Sequence, residues 1–310
     1  MRTTVWAAAF VVCWSSGFVG AVLARPAGDV AGLLAWRYLV TAAVLVVLLA
    51  ALRPRRVGGR EVLRHCVLGV LAHVVFLGGV FGAAEYGVDA GTVALVCAIQ
   101  PMLVTVLGRV WWGDRVRLRQ VVGLAVGLAA VAITVGGGVG GAGIALLLPV
   151  ASLCGLSAAA LLERRWASPT DDVLTALTVQ VIVAAGVFTL VALVRGEIAI
   201  GVTPTVLGAI TWLVLLSGLG GYASFLMCLR RLGSTTTSLL LYLTPPVTTL
   251  WAWMMFSDTP SPAQWLGLVV GAAAVGLAWP WRRSARGLAA VAQRRRETIH
   301  GELNATTDQR

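Results

Sequence analysis

The chain has no lysine: all 24 basic residues are arginine, against 13 acidic residues, for a formal net charge of +11. Charge of either sign is scarce, at 12% of residues, where a soluble domain carries roughly 25%. Hydrophobic residues make up 58%. This balance excludes an ordinary soluble domain. The charges are clustered, and the apolar runs between them approach the ~20 residues that cross a bilayer as helix. Arginines placed between apolar runs form no continuous basic face, and no recognition motif accompanies them, so nucleic acid is excluded as a partner. The five cysteines, Cys13, Cys66, Cys97, Cys154 and Cys228, are odd in number and lack a Cys-x-x-Cys pair. Each lies in or beside an apolar run and reads as a small buried hydrophobe. There is no His-Glu-x-x-His, no Gly-x-Ser-x-Gly and no cluster of metal ligands. No catalytic set, metal or cofactor is therefore expected.

What the chain does have is a repeat. Thr92–Val131 aligns without a gap on Thr236–Val275, 144 residues later, with 13 of 40 positions identical. The identities include Pro101 with Pro245, Asp114 with Asp258, Gln120 with Gln264, Gly123 with Gly267 and Gly127 with Gly271. Two copies of one membrane module are a common transporter architecture. The apolar runs predict ten spans: 4–23, 31–52, 66–86, 91–112, 119–136, 142–162, 173–194, 205–229, 236–256 and 262–281. The expected fold is all-α and integral to the membrane, with ten transmembrane helices in two five-helix modules, 1–138 and 139–281, followed by a basic tail, 282–310. Five helices is an odd number, so the second module enters the bilayer with opposite orientation, which makes the repeat inverted.

Arginine placement predicts sidedness. With the N-terminus in the cytoplasm, 21 of the 24 arginines fall in cytoplasmic segments; Arg25 and Arg195 fall outside, and Arg37 lies within a helix. The positive-inside rule then puts both termini in the cytoplasm, and the expected location is the inner membrane. Trp111, Trp112, Trp265, Trp279 and Trp281 stand at span ends, where tryptophan favours the headgroup region. Arg294–Arg296 fit a solvated tail held near anionic lipid.

Candidate site residues follow from polar groups inside apolar runs. Pro101 and Pro245 lie near the middle of spans four and nine, preceded by Gln100 and Thr244. A mid-helix proline kinks the helix and frees a carbonyl. Proline-interrupted segments at corresponding places in two halves point to a transporter site, with a plain packing kink as the rival reading. Arg37 is costly inside a membrane and reads either as a counter-charge for a substrate carboxylate or as a snorkelling side chain. His73, with an imidazole that titrates near neutrality, and Glu85, at the outer end of span three, are the proton-coupling candidates. Trp14 and Ser15, in the run Trp14-Ser15-Ser16-Gly17-Phe18, offer an aromatic and a hydroxyl, as do Tyr222, Ser224, Tyr242 and Thr244 in the second module. Such a lining suits a small amphipathic solute. Gly123, Gly127, Gly267 and Gly271 form two Gly-x-x-x-Gly pairs that let helix backbones approach, which predicts that spans five and ten pack together. The glycine cluster 136–143 lacks the Gly-Lys-Ser/Thr of a phosphate cradle and reads as the connection between modules.

These residues resemble the EamA-type proteins of the drug/metabolite transporter superfamily. The resemblance is carried by Trp14–Phe18 with Trp36-Arg37-Tyr38, by Gln100-Pro101, Gly113-Asp114 and Gln120-x-x-Gly123, and by Tyr242-Leu243-Thr244-Pro245-Pro246 with Asp258 and Gln264-x-x-Gly267. It covers nearly all of residues 4–281; the family often has Gly-Glu where this chain has Gly113-Asp114 and Ser257-Asp258. The resemblance implies ten helices around a central cavity, and a secondary transporter that exports a small, amino-acid-like metabolite by alternating access. Without an ATP-binding domain, transport would run on an ion gradient, exchange or the solute's own gradient. The rival reading is a non-transporting membrane sensor or assembly protein that keeps the fold.

Overall fold

A computed structural model describes residues 2–24, 30–52, 58–113, 118–136, 143–166, 172–201, 203–257 and 259–278. Asp114, Asp258, Trp279, Trp281 and the tail lie outside the described residues. Among those described there are helices and short connections but no strand. The first half contains α1 (Arg2–Leu23), α2 (Val30–Leu52), α3 (Gly59–Gly69), α4 (Phe76–Glu85), α5 (Ala90–Cys97), α6 (Gln100–Trp112) and α7 (Leu118–Gly136). The second contains α8 (Leu147–Trp166), α9 (Val173–Arg195), α10 (Pro204–Thr211), α11 (Gly221–Leu240), α12 (Thr244–Phe256) and α13 (Pro262–Ala278). A π-helical segment, Val70–Val75, joins α3 to α4, and another, Trp212–Gly220, joins α10 to α11. Among the described residues, seven stretches are long and apolar enough to cross a membrane: Thr4–Leu23, Val30–Leu52, Gly59–Glu85, Ala90–Trp112, Ile144–Trp166, Val173–Arg195 and Pro204–Phe225.

The helices begin and end where local chemistry directs. Asp89 and Asp172 each accept the N–H of a threonine three residues on, satisfying orphan donors at the starts of α5 and α9. Thr203 does the same for α10, and Pro204 follows at the first helical position. Gly113 and Ser257 occupy matching places in the repeat, and both terminate their helices in left-handed backbone, at φ 68° and 56°. Glycine takes this conformation freely, whereas serine does so at a cost of about 1 kcal/mol.

Two expectations are corrected. Pro101 and Pro245 do not kink continuous helices. The first module breaks at Ala98 and Ile99, and Pro101 falls in the first turn of α6. In the second, a 3₁₀ turn, Leu241–Leu243, precedes α12, and Pro245 falls in its first turn. Proline is tolerated there because a first-turn N–H has no helical partner to lose. The expected loop at 230–235 is also helical, because α11 continues to Leu240. The chain nonetheless doubles back. Trp212 and Trp251 would stand about 58 Å apart in one straight helix, yet their rings are 5.3 Å apart. Cys228 reaches the Trp6 carbonyl, whereas the Thr244 carbonyl lies at the level of Ser15, so the reversal falls between Cys228 and Thr244.

α7 packs along α13, α2 along α9, and α1 against α11 and α12; α8 lies against α4 and α6. Gly123, Gly127 and Gly267 are buried, and Gly271 faces Leu95 and Ala130. On the outer faces of α2 and α9, Val47 is 67% and Val194 80% exposed, which is the lipid-facing surface of a membrane bundle. Polar contacts gather several connections at one end. Glu197 accepts the Ala31 N–H, Arg195 pairs with both Glu85 and Glu197, and Asp89 shares a niche with Gln264. The Arg164 guanidinium lies over the Trp112 ring at 5.0 Å, which brings the ends of α6 and α8 together.

Candidate functional site

The two helix breaks meet at α1. A narrow cleft is lined by Trp14 and Phe18 of α1, Phe76 of α4, Cys97, Ala98 and Gln100 at the first break, Leu156 of α8, and Leu241 and Thr244 at the second. Ser15, fully buried, donates to the Thr244 carbonyl at 3.4 Å. The Thr244 hydroxyl turns back to the Leu241 carbonyl at 2.6 Å, within the 3₁₀ turn. Pro101 offers its carbonyl to the Thr105 hydroxyl at 2.8 Å. Both breaks thus present a polar residue and an adjoining half-helix start to one space, with the dipole of each half-helix favouring negative charge at its N-terminus. The free volume is only ≈ 10 Å³, room for about one water molecule. The conformation is therefore closed around this point.

An aromatic cluster stands behind the cleft. Trp14 packs against Phe10 and Phe225, with ring centroids 5.5 and 6.1 Å away, and Tyr222 approaches Phe225 at 6.3 Å. Tyr242 sits half-buried in the turn before Thr244. Neither tyrosine lines the cleft itself.

Arg37 does not line the cleft either. It is 6% exposed, and its guanidinium lies over the rings of Tyr38 and Phe81 at 5.4 and 5.9 Å. Its Nη1 has no hydrogen-bond partner. α4 separates the two places: Phe76 faces the cleft, and Phe81, further along the same helix, faces Arg37. The rings relieve some of the cost of burying this cation. The unpartnered donor leaves an unmet demand for an anion or a polar oxygen. The Tyr38 hydroxyl and His73 Nδ1 are 3.0 Å apart, and Tyr38 stacks on Phe188. His73 lies on the π-helical segment before α4, a geometry frequent at functional sites. Glu85 stands apart at the bundle end, 3.0 Å from Arg195.

Sequence reasoning missed Phe18, Phe76 and Leu241 in the cleft wall. They carry no polar signal and reach it only through tertiary packing. It also missed a polar niche near Asp89 and Thr249. The signal for Thr249 was present, since it is one of the identical repeat positions, paired with Thr105.

A helical membrane bundle, broken at two matching prolines around an occluded polar point, has the form of a small-solute transporter. The model of the EamA-like transporter family matches residues 1–136 and 142–279, and the chain belongs to that family. It is a multi-pass membrane protein of a family that transports small molecules. A relative from Streptantibioticus cattleyicolor, described as a "Probable terminal-alkyne amino-acid exporter", is 29% identical over 301 residues, covering 89% of this chain and 93% of its own. A solved crystal structure shares the fold at a TM-score of 0.64 and 19% identity, over 91% of this chain and 98% of that one.

Proposed function

We propose that this protein exports a small, amino-acid-like metabolite across the inner membrane by alternating access. The observation that carries the reading is the meeting of the two helix breaks, with Gln100 and Thr244 lining one cleft beside Trp14 and Ser15. In this reading, residues 1–138 and 139–281 are inverted five-helix modules, ten spans in all, with both termini and the basic tail in the cytoplasm against anionic lipid. Support comes from the contacts at the bundle ends. The connection after α4 and that after α9 meet through Glu85 and Arg195, and the ends of α6 and α8 meet at the opposite end. That parity agrees with the arginine distribution. The relative's description as an amino-acid exporter supports both the substrate class and the outward direction.

The occluded cleft opens when the modules rock apart, and the solute binds where the half-helix starts converge. Arg37 supplies the counter-charge for a carboxylate, once α4 has shifted enough for the solute to reach past Phe81. His73 and Glu85 are the residues assigned to proton coupling. Glu85 stands at the bundle end in its pair with Arg195, and His73 stands against Tyr38.

The test is efflux from proteoliposomes loaded with a panel of labelled amino acids and related metabolites. Release of one of them unchanged, above that from protein-free vesicles, is the expected result. Retention of every solute would favour a sensor or assembly role, and release of a chemically altered product would assign an enzyme.

A further inference from the structure

A second polar space lies at the same end of the bundle as Glu85 and Arg195, away from the central cleft. It is bounded by Asp89 and Gly91 from one half of the chain and by Thr249, Thr259 and Gln264 from the other, with a volume of ≈ 60 Å³. The Thr249 side chain points into it. Thr249 is 7% exposed, and its Oγ1 has no hydrogen-bond partner. This lack is specific to the second repeat, because Thr105, at the matching position, donates to the carbonyl four residues back at 2.8 Å. A Cβ added at Gly91 would run into Thr249 Oγ1 and approach Asp89 Oδ1 at 3.2 Å. The carboxylate and the hydroxyl therefore flank one gap that only a glycine leaves open.

The Asp89 carboxylate already accepts from the Thr92 N–H at 2.8 Å and from the Thr92 hydroxyl at 2.6 Å. Each of its oxygens retains further lone-pair capacity. The described side chains of the lining offer a ligand hard oxygens, and among those described residues there is one formal negative charge and no basic side chain. Among the described residues there is no cluster of three or more acidic, histidine or cysteine side chains. A divalent or soft metal is therefore poorly served. One carboxylate with neutral oxygens matches a hard monovalent cation.

We infer that Asp89 and Thr249 form a sodium site that fastens the two halves of the chain together at this end. The bound ion would take up a lone pair of the orphan Thr249 oxygen and offset the carboxylate charge. It would also stabilise the closed arrangement in which α5 and α12 are in contact. The site is separate from Arg37, His73 and the cleft, and its ion need not travel with the solute.

The experiment is thermal unfolding of the purified, detergent-solubilised full chain in sodium chloride against choline chloride at equal ionic strength. Sodium at about 100 mM should raise the midpoint by about 2 °C or more through its preference for the folded state. Asp89→Asn and Thr249→Val should each lose that increment, while Thr249→Ser keeps it. Asparagine caps helices about as well as aspartate, so D89N should match the natural midpoint in choline. Equal midpoints for the natural protein in the two salts would overturn the inference and leave the niche as a water site. A sodium increment that survives both D89N and T249V would overturn it equally. Neither result bears on transport through the cleft, so the two readings fail separately.

Discussion

In the proposed export reaction, Arg37 is the residue whose local chemistry bears most directly on the solute. A buried guanidinium with an unpartnered Nη1 stabilises little by itself. Arg37→Gln should therefore leave the unfolding midpoint unchanged or raise it, while transport suffers. A charge-assisted hydrogen bond contributes about 1.5–3 kcal/mol, so losing one should raise the apparent Km about ten- to a hundredfold. Arg37→Lys should keep more activity than Arg37→Gln. Flux kinetics on the three forms check this, and equal values would make Arg37 a packing residue only. His73, held against the Tyr38 hydroxyl, allows a second test. His73→Gln should flatten the pH dependence of flux, and an unchanged profile would remove it from proton coupling. The sequence marked both residues as polar groups inside apolar runs. It did not disclose that Arg37 lies over Phe81, because that neighbour comes from another helix.

At the scale of the helix, close packing rests on small residues. Gly79 of α4 faces α8, where an added Cβ would strike the Ser152 hydroxyl and come within 2.6 Å of the Leu148 carbonyl. Ser152 in turn donates to the Phe76 carbonyl at 2.8 Å. Gly79→Val should force α4 and α8 apart and cost about 1–3 kcal/mol. A lowered unfolding midpoint checks this, and an unchanged one would mean that the helices yield without penalty. The repeat made the paired prolines visible, and the apolar runs placed most helices. The break before Pro101 was not legible, because the residues around it, Cys97, Ala98 and Ile99, are as apolar as any in the span. The course of the chain past Arg230 was hidden for a different reason. A charged pair signals a membrane boundary, but helical turns can continue through it while the chain reverses. The Gly-x-x-x-Gly pairs lie on α7 and α13, which run along one another with Gly123, Gly127 and Gly267 buried.

For the whole molecule, the proposal is that two inverted modules share one central point. Reporter fusions at the tail and within residues 136–143 should lie on opposite faces of the membrane, with the tail in the cytoplasm. Finding both on one face would remove the inversion. Neither half of the chain makes the cleft alone, because α1, α4 and α5 meet the Leu241–Leu243 turn and α12 there. Its ≈ 10 Å³ volume requires a conformational change before any metabolite can enter, and alternating access supplies one. The most direct measurement is thiol labelling at the two breaks. In a cysteine-free background that retains flux, Gln100→Cys and Thr244→Cys should each react with a small, membrane-impermeant thiol reagent, both when it is added outside and when it is added inside. Two positions inert from both sides would contradict a shared central pathway and leave the paired prolines as features of packing.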